Sequence, residues 1–488
     1  MIYETVKSRC IVTSVTLMYL SFNALISNLF HFMNIKLLNK YNKPAPRYTS
    51  YPPATFFHDD ITSDNFKEMI KESNFHEPEN ISVYIHIPFC RQLCHFCGCN
   101  TYHYPDEEIV QSYISSIIKE IGQVTSLLDK SRPLTQIHWG GGTPNSINYG
   151  YIKDVMDVLR EKFSFSENAE IAMECNPAYL ELTDIDYLAS IGFNRLSLGI
   201  QDFNTEVLKK ANRKAPLSPV EKMINRMKAN NMKGVNIDLM YGLPGQTTDS
   251  FKKTIEKIIS IAPDRIVTFS YAHVPWIKPA QKILEKTGLP PAAEKLRMFE
   301  MAYKLLTANN YISVGMDHYA KKDDELSIAL KNKKLSRNFQ GYCTTETTGQ
   351  VYGFGATSIS QLNGGYYQNA KDVKEYIDAI SQKDFATRRG YELNKNDVIC
   401  RHIITQIMCN GFLDLNDTAS QFQCTVEDIK KISGFSKEKL KPFIEDDLLK
   451  IENNVLQLKA GGFLVVRNIA MVFDPLHCQS KQQYSKTV

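Results

Sequence analysis

The sequence has almost no excess charge, because its 57 lysine and arginine residues are nearly balanced by 53 aspartate and glutamate residues, giving a net charge of +4 over 488 residues. Proteins that bind nucleic acid along their surface usually carry a strong basic excess, so we expect no nucleic-acid partner. Internal repeats and low-complexity tracts are also lacking. The composition, 43% hydrophobic and 23% charged, indicates a globular protein with a sizeable core and more than one domain.

The sequence also lacks the even cysteine framework of a small disulfide-bonded secreted domain. Four of the 11 cysteines lie between residues 90 and 99, and the others are scattered along the chain. We interpret the scattered ones, such as Cys343, Cys400 and Cys409, as small apolar residues of the core. The clustered thiols indicate a metal site in a reducing compartment, so we expect a cytoplasmic protein.

From residue 81 to about 275, short apolar runs alternate with amphipathic stretches, which is typical of a parallel sheet with helices outside it. Six such units favour an α/β fold with a partial (β/α)6 TIM-like barrel over a complete one. The predicted strands are 82–87, 136–139, 170–173, 195–200, 235–240 and 266–271. In barrels of this kind the chemistry lies at the carboxyl ends of the strands. Candidate functional residues follow or end these strands: Cys90, the glycine run from Gly140, Glu174, Gln201, Asp238 and Ala272.

The C-terminal part of the chain has a different pattern. Residues 290–380 indicate a mixed continuation of the barrel, whereas helices are predicted at 397–409, 415–422, 426–432 and 436–446, before strands at 448–451 and 455–459. This order resembles a winged-helix-like domain, although its lack of a basic face does not favour DNA binding. We therefore predict a division into 1–32, an apolar extension; 33–80, a covering segment; 81–385, the barrel domain; and 386–488, a mostly helical domain.

The motif at Cys90, Cys94 and Cys97 has the spacing C-x3-C-x2-C, and cysteine thiolates are the ligands of iron–sulfur clusters. Three thiolates leave one iron of a [4Fe–4S] cluster open to an exchangeable chelator such as S-adenosylmethionine (SAM), whose amino and carboxylate groups suit it. A zinc site is the alternative, with Cys99 as a fourth ligand. Zinc usually takes paired C-x2-C motifs, and no second Cys/His pair at that spacing lies nearby, so the cluster is favoured.

The glycine run at Gly140, Gly141 and Gly142 follows a predicted strand, where glycine lets the backbone approach a ligand closely. Taken alone, an ordinary tight turn explains it equally well. Glu174 and Asp238 suit the ribose hydroxyls or the ammonium group of SAM, although either carboxylate alone is better explained as solvated or ion-paired.

The first 35 residues contain no charged side chain between Arg9 and Lys36. This stretch suggests either a signal peptide or membrane anchor, or an upstream extension with Met33 as the true start. We favour the extension and expect no membrane association, because export to an oxidising compartment would be hostile to an iron–sulfur site.

Taken in order, the motifs resemble those of the oxygen-independent coproporphyrinogen III oxidases, radical SAM enzymes of haem biosynthesis. The matching segments are Pro-Arg-Tyr-Thr-Ser-Tyr-Pro at 46–52, the cysteine motif ending in Cys-Gly-Cys-Asn, 192–203, 236–244, 271–275, 315–320 and 337–342. The resemblance implies that two propionates of coproporphyrinogen III are oxidatively decarboxylated to vinyl groups, giving protoporphyrinogen IX. It further implies one [4Fe–4S] cluster, two SAM molecules per chain, a low-potential electron donor such as flavodoxin or ferredoxin, and a monomer.

The resemblance also implies roles for individual residues. The cluster ligands would be Cys90, Cys94 and Cys97, without Cys99. The cluster-bound SAM would contact Tyr84, Phe96, Gly140, Glu174 and Ile359. The second SAM would contact Gly141, Gly142, Gln201, Arg213, Asp238 and Ala272, near Phe339 and Gln340. Catalytic roles are implied for Tyr84, Phe339 and Gln340, while Arg47 and Arg195 are candidates for binding the substrate carboxylates.

Two other functions remain compatible with parts of the sequence. A related radical SAM haem-trafficking protein would share the barrel, but such proteins usually lack the segment at 46–52 and the fourth cysteine. A non-enzymatic iron–sulfur sensor with a winged-helix tail would have no use for SAM-contacting residues at so many strand ends.

Overall fold

A twelve-stranded sheet forms the centre of the computed structural model, which describes residues 35–477 and Tyr484. The described strands are β1 (Ile81–Ile87), β2 (Phe89–Cys90), β3 (Tyr102–His103), β4 (Pro133–Gly141), β5 (Ser164–Cys175), β6 (Arg195–Gln201), β7 (Gly234–Tyr241), β8 (Arg265–Ser270), β9 (Tyr311–Gly315), β10 (His318–Lys321), β11 (Leu335–Arg337), β12 (Tyr342–Thr344), β13 (Gln350–Phe354), β14 (Ile359–Leu362), β15 (Gly365–Asn369), β16 (Thr387–Glu392), β17 (Phe412–Asp414), β18 (Leu449–Glu452) and β19 (Val455–Leu458).

The helices lie between these strands and in the C-terminal part. They are α1 (Ile35–Tyr41), α2 (Ser63–Ser73), α3 (Glu107–Thr125), α4 (Tyr149–Lys162), α5 (Leu182–Ser190), α6 (Thr205–Lys210), α7 (Val220–Ala229), α8 (Thr248–Ile261), α9 (Lys282–Glu285), α10 (Ala292–Ala308), α11 (Glu325–Lys331), α12 (Val373–Ser381), α13 (Lys395–Thr405), α14 (Leu415–Gln421), α15 (Val426–Ile432), α16 (Lys437–Glu445) and α17 (Val466–Ala470). Over the described part of the chain, none of them is long and apolar enough to cross a membrane.

The six predicted barrel strands are confirmed as β1, β4, β5, β6, β7 and β8, which pair in parallel and in sequence order. Every residue of β1 except Tyr84 is buried, as expected for a strand covered on both faces. Because the strands are parallel, their carboxyl ends share one edge of the sheet. The candidate residues that follow them are therefore brought to the same end of the barrel.

Residues 311–392 extend the sheet at both open edges, so the barrel is partial rather than closed. Strand β13 pairs in parallel with β1, and β14, β15 and β16 continue antiparallel from it. At the other edge, β10 and β9 follow β8 with antiparallel pairing. The sheet thus continues to Glu392, while the division at residue 385 stays a prediction.

The C-terminal part is mostly helical, as predicted, and packs around its own buried core. Helix α13 ends in a π-helical turn at 406–410, closed by Gly411 with a left-handed φ of 57°. A β-carbon there would lie 2.3 Å from the ring of Phe463, so both conformation and space demand glycine. The predicted hairpin is β18–β19, and β17 adds a third strand beside β19.

The segment around residues 46–52 is held against this C-terminal core. The Tyr48 hydroxyl donates to a carboxylate oxygen of Asp474 at 2.9 Å, and Nε of Arg467 donates to the Pro46 carbonyl at 3.0 Å. Residues 35–60 therefore join the barrel to the helical part. The apolar extension predicted at 1–32 lies outside the described residues.

A buried ion cluster includes residues from β5 and from the first residues of β6 and β8, and three of its members, Glu170, Arg195 and Arg265, line a cavity inside the barrel. Arg195 Nε lies 2.7 Å from a Glu170 oxygen and its Nη2 lies 2.8 Å from Glu325, while Arg265 Nε lies 2.9 Å from Asp324. Burial alone would raise the pKa of Glu170, but Arg195 and Arg265 outweigh it and lower that pKa. The stability of this ion cluster therefore depends on each of its charges having a partner.

Replacement of Arg195 by alanine is expected to lower the free energy of unfolding by about 3–5 kcal/mol, because it leaves the buried Glu170 with an incomplete set of partners. Arg226→Ala is the matched control, since Arg226 pairs with Asp186 on the surface and should contribute about 1 kcal/mol or less. Urea denaturation under anaerobic conditions measures both. Equal losses in the two variants would contradict the structural role of the cluster.

Candidate functional site

The loop that carries the cysteine motif begins directly after β1 and is fixed by contacts from two other parts of the barrel. The His95 N–H donates to the Ala211 carbonyl at 3.1 Å, and Nδ2 of Asn212 donates to the Leu93 carbonyl at 2.8 Å. On the other side, Lys278 Nζ donates to the carbonyl of Cys99 at 2.6 Å. The loop is therefore held by the segments that follow α6 and β8.

The four thiols of this loop have different surroundings. The Cys90 sulfur lies 3.3 Å from the Thr143 hydroxyl, and burial raises the pKa of Cys90 to about 11. Arg213 Nη1 donates to the Cys94 sulfur at 3.6 Å. A hydrogen bond between Cys97 and Cys99 lowers the pKa of Cys97 and raises that of Cys99, so Cys97 is the better anionic ligand of that pair.

These donors fit an iron–sulfur cluster better than one zinc ion. Within the described ranges, no three His, Cys, Asp or Glu side chains converge as closely as a single metal ion requires. Zinc needs its ligands gathered around one point, whereas each iron of a cubane takes its own cysteine. The residues present, three thiols in one fixed loop with a guanidinium beside Cys94, are suited to a cluster of iron and sulfide.

The glycine run at the end of β4 is packed against β1 rather than exposed in an open turn. The Gly142 N–H donates to the Ile87 carbonyl at 2.8 Å, and a β-carbon on Gly142 would lie 2.8 Å from Pro88. Gly141 has a φ of 112°, and a β-carbon on it would lie 2.6 Å from the ring of His86. A β-carbon on Gly140 would lie 3.0 Å from the Glu174 carboxylate. Close packing thus explains the glycines, and their contact with SAM stays a prediction.

Tyr84 and Glu174 are joined through two histidines that the sequence analysis did not single out. The Tyr84 hydroxyl lies 3.0 Å from Nδ1 of His86, and His138 stacks on the Tyr84 ring with centroids 6.1 Å apart. Nε2 of His138 donates to Glu174 at 3.0 Å. Burial lowers the pKa of His86 to about 4, so its ring is neutral at physiological pH. The sequence did contain a signal for His86: it lies two residues after Tyr84 in β1, and residues two apart share one face of a strand.

A second polar group lies at the ends of β6 and β7. Gln201 is buried with a left-handed φ of 68°, and strain of this kind in a residue other than glycine clusters at functional sites. Among the described residues, Oε1 of Gln201 and Nε of Arg213 have no hydrogen-bond partner, although both are buried. Arg213 also donates to the Gly199 carbonyl. Buried groups of this kind normally have partners, so the geometry fits a bound polar ligand.

Asp238 belongs to the same group and is held by two neighbours. Ser197 Oγ and Asn236 Nδ2 each donate to its carboxylate at 2.8 Å. Burial nevertheless raises the pKa of Asp238 to about 6. Its carboxylate lines a cavity of about 130 Å³ inside the barrel, together with His138, Glu174 and Gln340. One residue from each predicted SAM group, Glu174 and Asp238, therefore lines the same interior space.

The remaining predicted site residues surround this space at different distances. Phe339 packs between Phe57 and Tyr366, with ring centroids 6.4 and 6.1 Å away. Phe96 packs against the small apolar cluster that contains Tyr271, and Ile359 begins β14 with its side chain partly exposed. The structure brings these residues to the edges of the site, and their contacts with ligands stay predictions.

A larger cavity of about 410 Å³ lies at the carboxyl ends of β7 and β8, beneath residues 42–47 and beside the helical part. Arg47, Ala272 and Arg467 line it, and Arg47 pairs with Asp317 at 2.7 Å. Arg195, the other candidate for a substrate carboxylate, begins β6, is paired with Glu170 and Glu325, and lines the 130 Å³ cavity. For both arginines, contact with the substrate stays a prediction.

Comparison with known proteins places this arrangement in a family. Residues 84–258 match the Radical SAM superfamily. The oxygen-independent coproporphyrinogen III oxidase of Synechocystis sp. is 40% identical over 455 residues, covering 92% of this chain and 96% of that protein. The enzyme of the same name from Escherichia coli is 37% identical over 463 residues, with 93% and 98% covered.

A solved structure gives the same result. Coproporphyrinogen III oxidase from Escherichia coli, described as a radical SAM enzyme, superposes with a TM-score of 0.83 at 36% identity, over 88% of this chain and 97% of that one. The match therefore includes the C-terminal helical part as well as the barrel. The chain belongs to the oxygen-independent coproporphyrinogen III oxidase family of radical SAM proteins.

Proposed function

We propose that the protein oxidatively decarboxylates two propionates of coproporphyrinogen III to vinyl groups, without oxygen, and so forms protoporphyrinogen IX. Two SAM molecules and one [4Fe–4S] cluster would serve the reaction. The observation that carries the proposal is a second polar group, Gln201, Arg213 and Asp238, beside the Cys90 loop, with orphaned buried atoms on Gln201 and Arg213. A protein that used SAM at one position only would have no need of it.

The chain's own residues bind and orient the reactants in this proposal. Cys90, Cys94 and Cys97 hold three irons, and Tyr84 with Glu174 lines the position of the cluster-bound SAM. When bound, the cluster and SAM supply the radical that removes hydrogen from each propionate. The neutral His86 ring and His138 keep Tyr84 and Glu174 in place through hydrogen bonds.

The substrate would occupy the 410 Å³ cavity, where Arg47 offers a guanidinium to a propionate. A buried carboxylate needs a charged or hydrogen-bonding partner, which suits this position. Residues 42–47 cover the cavity and would limit the access of water. We place the reaction in the cytoplasm, with a monomeric protein and a flavodoxin or ferredoxin as the source of electrons.

Anaerobic incubation of the reconstituted protein with coproporphyrinogen III, SAM and dithionite is expected to yield protoporphyrinogen IX. About two deoxyadenosines should form per product, since the cofactor carries the hydrogen abstraction once for each propionate. Chromatography of both products measures the ratio. Tight stoichiometric haem binding without any porphyrinogen turnover would instead support a haem carrier.

A further inference from the structure

The cysteine loop reaches the surface of the protein on one side, where an apolar centre is bordered by positive charge. Leu93, between Cys90 and Cys94, is 40% exposed, and Leu217 is 56% exposed. They are two of the ten large apolar side chains that are exposed among the described residues. We call Arg91, Leu93, Tyr179, Lys214 and Leu217 the loop-side surface.

Two of these residues, Arg91 and Lys214, meet on the ring of Tyr179. The Arg91 guanidinium lies 5.5 Å and the Lys214 ammonium 5.6 Å from the centre of the Tyr179 ring. The Leu217 N–H donates to the Pro177 carbonyl at 2.9 Å. This hydrogen bond holds the segment that carries Lys214 beside the one that carries Tyr179. Two cations share one aromatic ring, and the chain segments that carry them also carry the exposed Leu93 and Leu217, so positive and apolar groups occur together on this surface.

The same surface lies directly over the candidate cluster ligands. Burial raises the pKa of Tyr179, and the negative charge of Cys94 raises it further. Arg213, the neighbour of Lys214 in sequence, donates to the Cys94 sulfur. Nδ2 of Asn212 also bonds to the Leu93 carbonyl at 2.8 Å. The loop-side surface therefore includes part of the cysteine loop, Arg91 and Leu93, and the segment that bonds to it.

We infer that the loop-side surface is the docking site of a small acidic protein that carries one electron at a time. The inference rests on the proposed function, because it assumes a cluster at Cys90, Cys94 and Cys97. One electron passes from the reduced carrier to the cluster, so the carrier is oxidised and the cluster reduced by one electron, with no bond made or broken. Positive charge attracts an acidic partner, and the exposed leucines give the contact an apolar centre.

The test compares reduction of the cluster by a protein donor with reduction by a small molecule. The double variant Lys214→Glu/Leu217→Asp changes only exposed side chains. Stopped-flow bleaching of the oxidised cluster should show a second-order rate with reduced, acidic flavodoxin about tenfold below wild type at low salt, because electrostatic steering is reversed. Reduction by dithionite should be unchanged, and added salt should narrow the difference.

The matched control is Lys441→Glu/Ile444→Asp on α16. It makes the same change in charge at two exposed positions three residues apart, on a helix more than 200 residues later in the chain. It should keep the wild-type rate with flavodoxin. A wild-type flavodoxin rate in the Lys214/Leu217 variant would overturn the inference, as would an equal slowing with dithionite. Ile277 lies on the other side of the loop. If Ile277→Asp were the only variant reduced slowly by flavodoxin, the donor would dock there instead.

Arg91→Gln provides a second test, since it removes the other cation while keeping a polar chain that can reach the Ser146 carbonyl, which Arg91 now contacts at 3.0 Å. We expect a smaller loss of the flavodoxin rate with unchanged iron content. If the proposed reaction itself were wrong, wild-type protein would not convert coproporphyrinogen III even with dithionite as the reductant. That outcome does not depend on any of the reduction rates measured here.

Discussion

Replacement of Cys90, Cys94 or Cys97 by serine is expected to abolish the cluster, whereas Cys99→Ser should retain it. Reconstituted wild-type protein should hold about four irons per chain, as one cubane requires. Each of the three residues would bind a separate iron, so a hydroxyl in place of any one thiolate leaves that iron without its ligand. Cys99 instead donates a hydrogen bond to Cys97, a role that a serine hydroxyl can partly take over.

Iron analysis and the electron paramagnetic resonance signal of the reduced protein measure this outcome. Cys175→Ser is the matched control, because that thiol is buried at the end of β5 and takes no part in the motif. It should keep the iron of wild type. Iron loss in Cys99→Ser equal to that of the other three would mean that Cys99 is a fourth cysteine ligand, and would overturn the ligand assignment.

Most of the barrel could be predicted from the sequence because burial on both faces makes parallel strands apolar along their whole length. The runs at 82–87 and 235–240 are both strands. β1 is buried almost throughout, whereas β7 alternates buried residues with half-buried ones such as Asn236 and Asp238, which line the interior cavity. The edge strands could not be assigned in the same way. β13 pairs with β1, which lies more than 260 residues earlier in the chain, and such a partner depends on tertiary packing rather than on local pattern.

Two sets of site residues could be predicted from the sequence: the glycines and the polar residues near strand ends. The physical reason is different for each set. Cys90, Glu174, Gln201 and Asp238 all follow or end a strand, so the parallel topology alone brings them together. The reason for the glycines was hidden, since their β-carbons would meet residues of other strands such as His86 and Glu174. Arg195 also looked available in the sequence, because its partner Glu325 comes from a helix 130 residues later.

Arg213→Ala and Asp238→Ala are each expected to keep the full iron content but to lose conversion of coproporphyrinogen III by about a hundredfold or more, an effect typical of a displaced reactant. Both residues would hold the second SAM, and neither is a cluster ligand. Gln350→Ala serves as a comparison, since this buried side chain begins β13, donates to the carbonyls of Ser73 and His76, and should mainly affect stability. Turnover close to that of wild type in both site variants would rule out a second SAM there.

The pH dependence separates a binding role of Asp238 from a structural one. Burial raises its pKa to about 6, so the carboxylate is ionised above that pH and neutral below it. If the charge attracts the ammonium of SAM, then the apparent KM for SAM should rise as the pH falls through about 6. Asp238→Asn keeps the shape and the hydrogen bonds from Ser197 but cannot ionise, so its KM should be high at every pH and should show no such step. A step that persists unchanged in Asp238→Asn would assign the titration to another group, and would leave Asp238 with a role in packing alone.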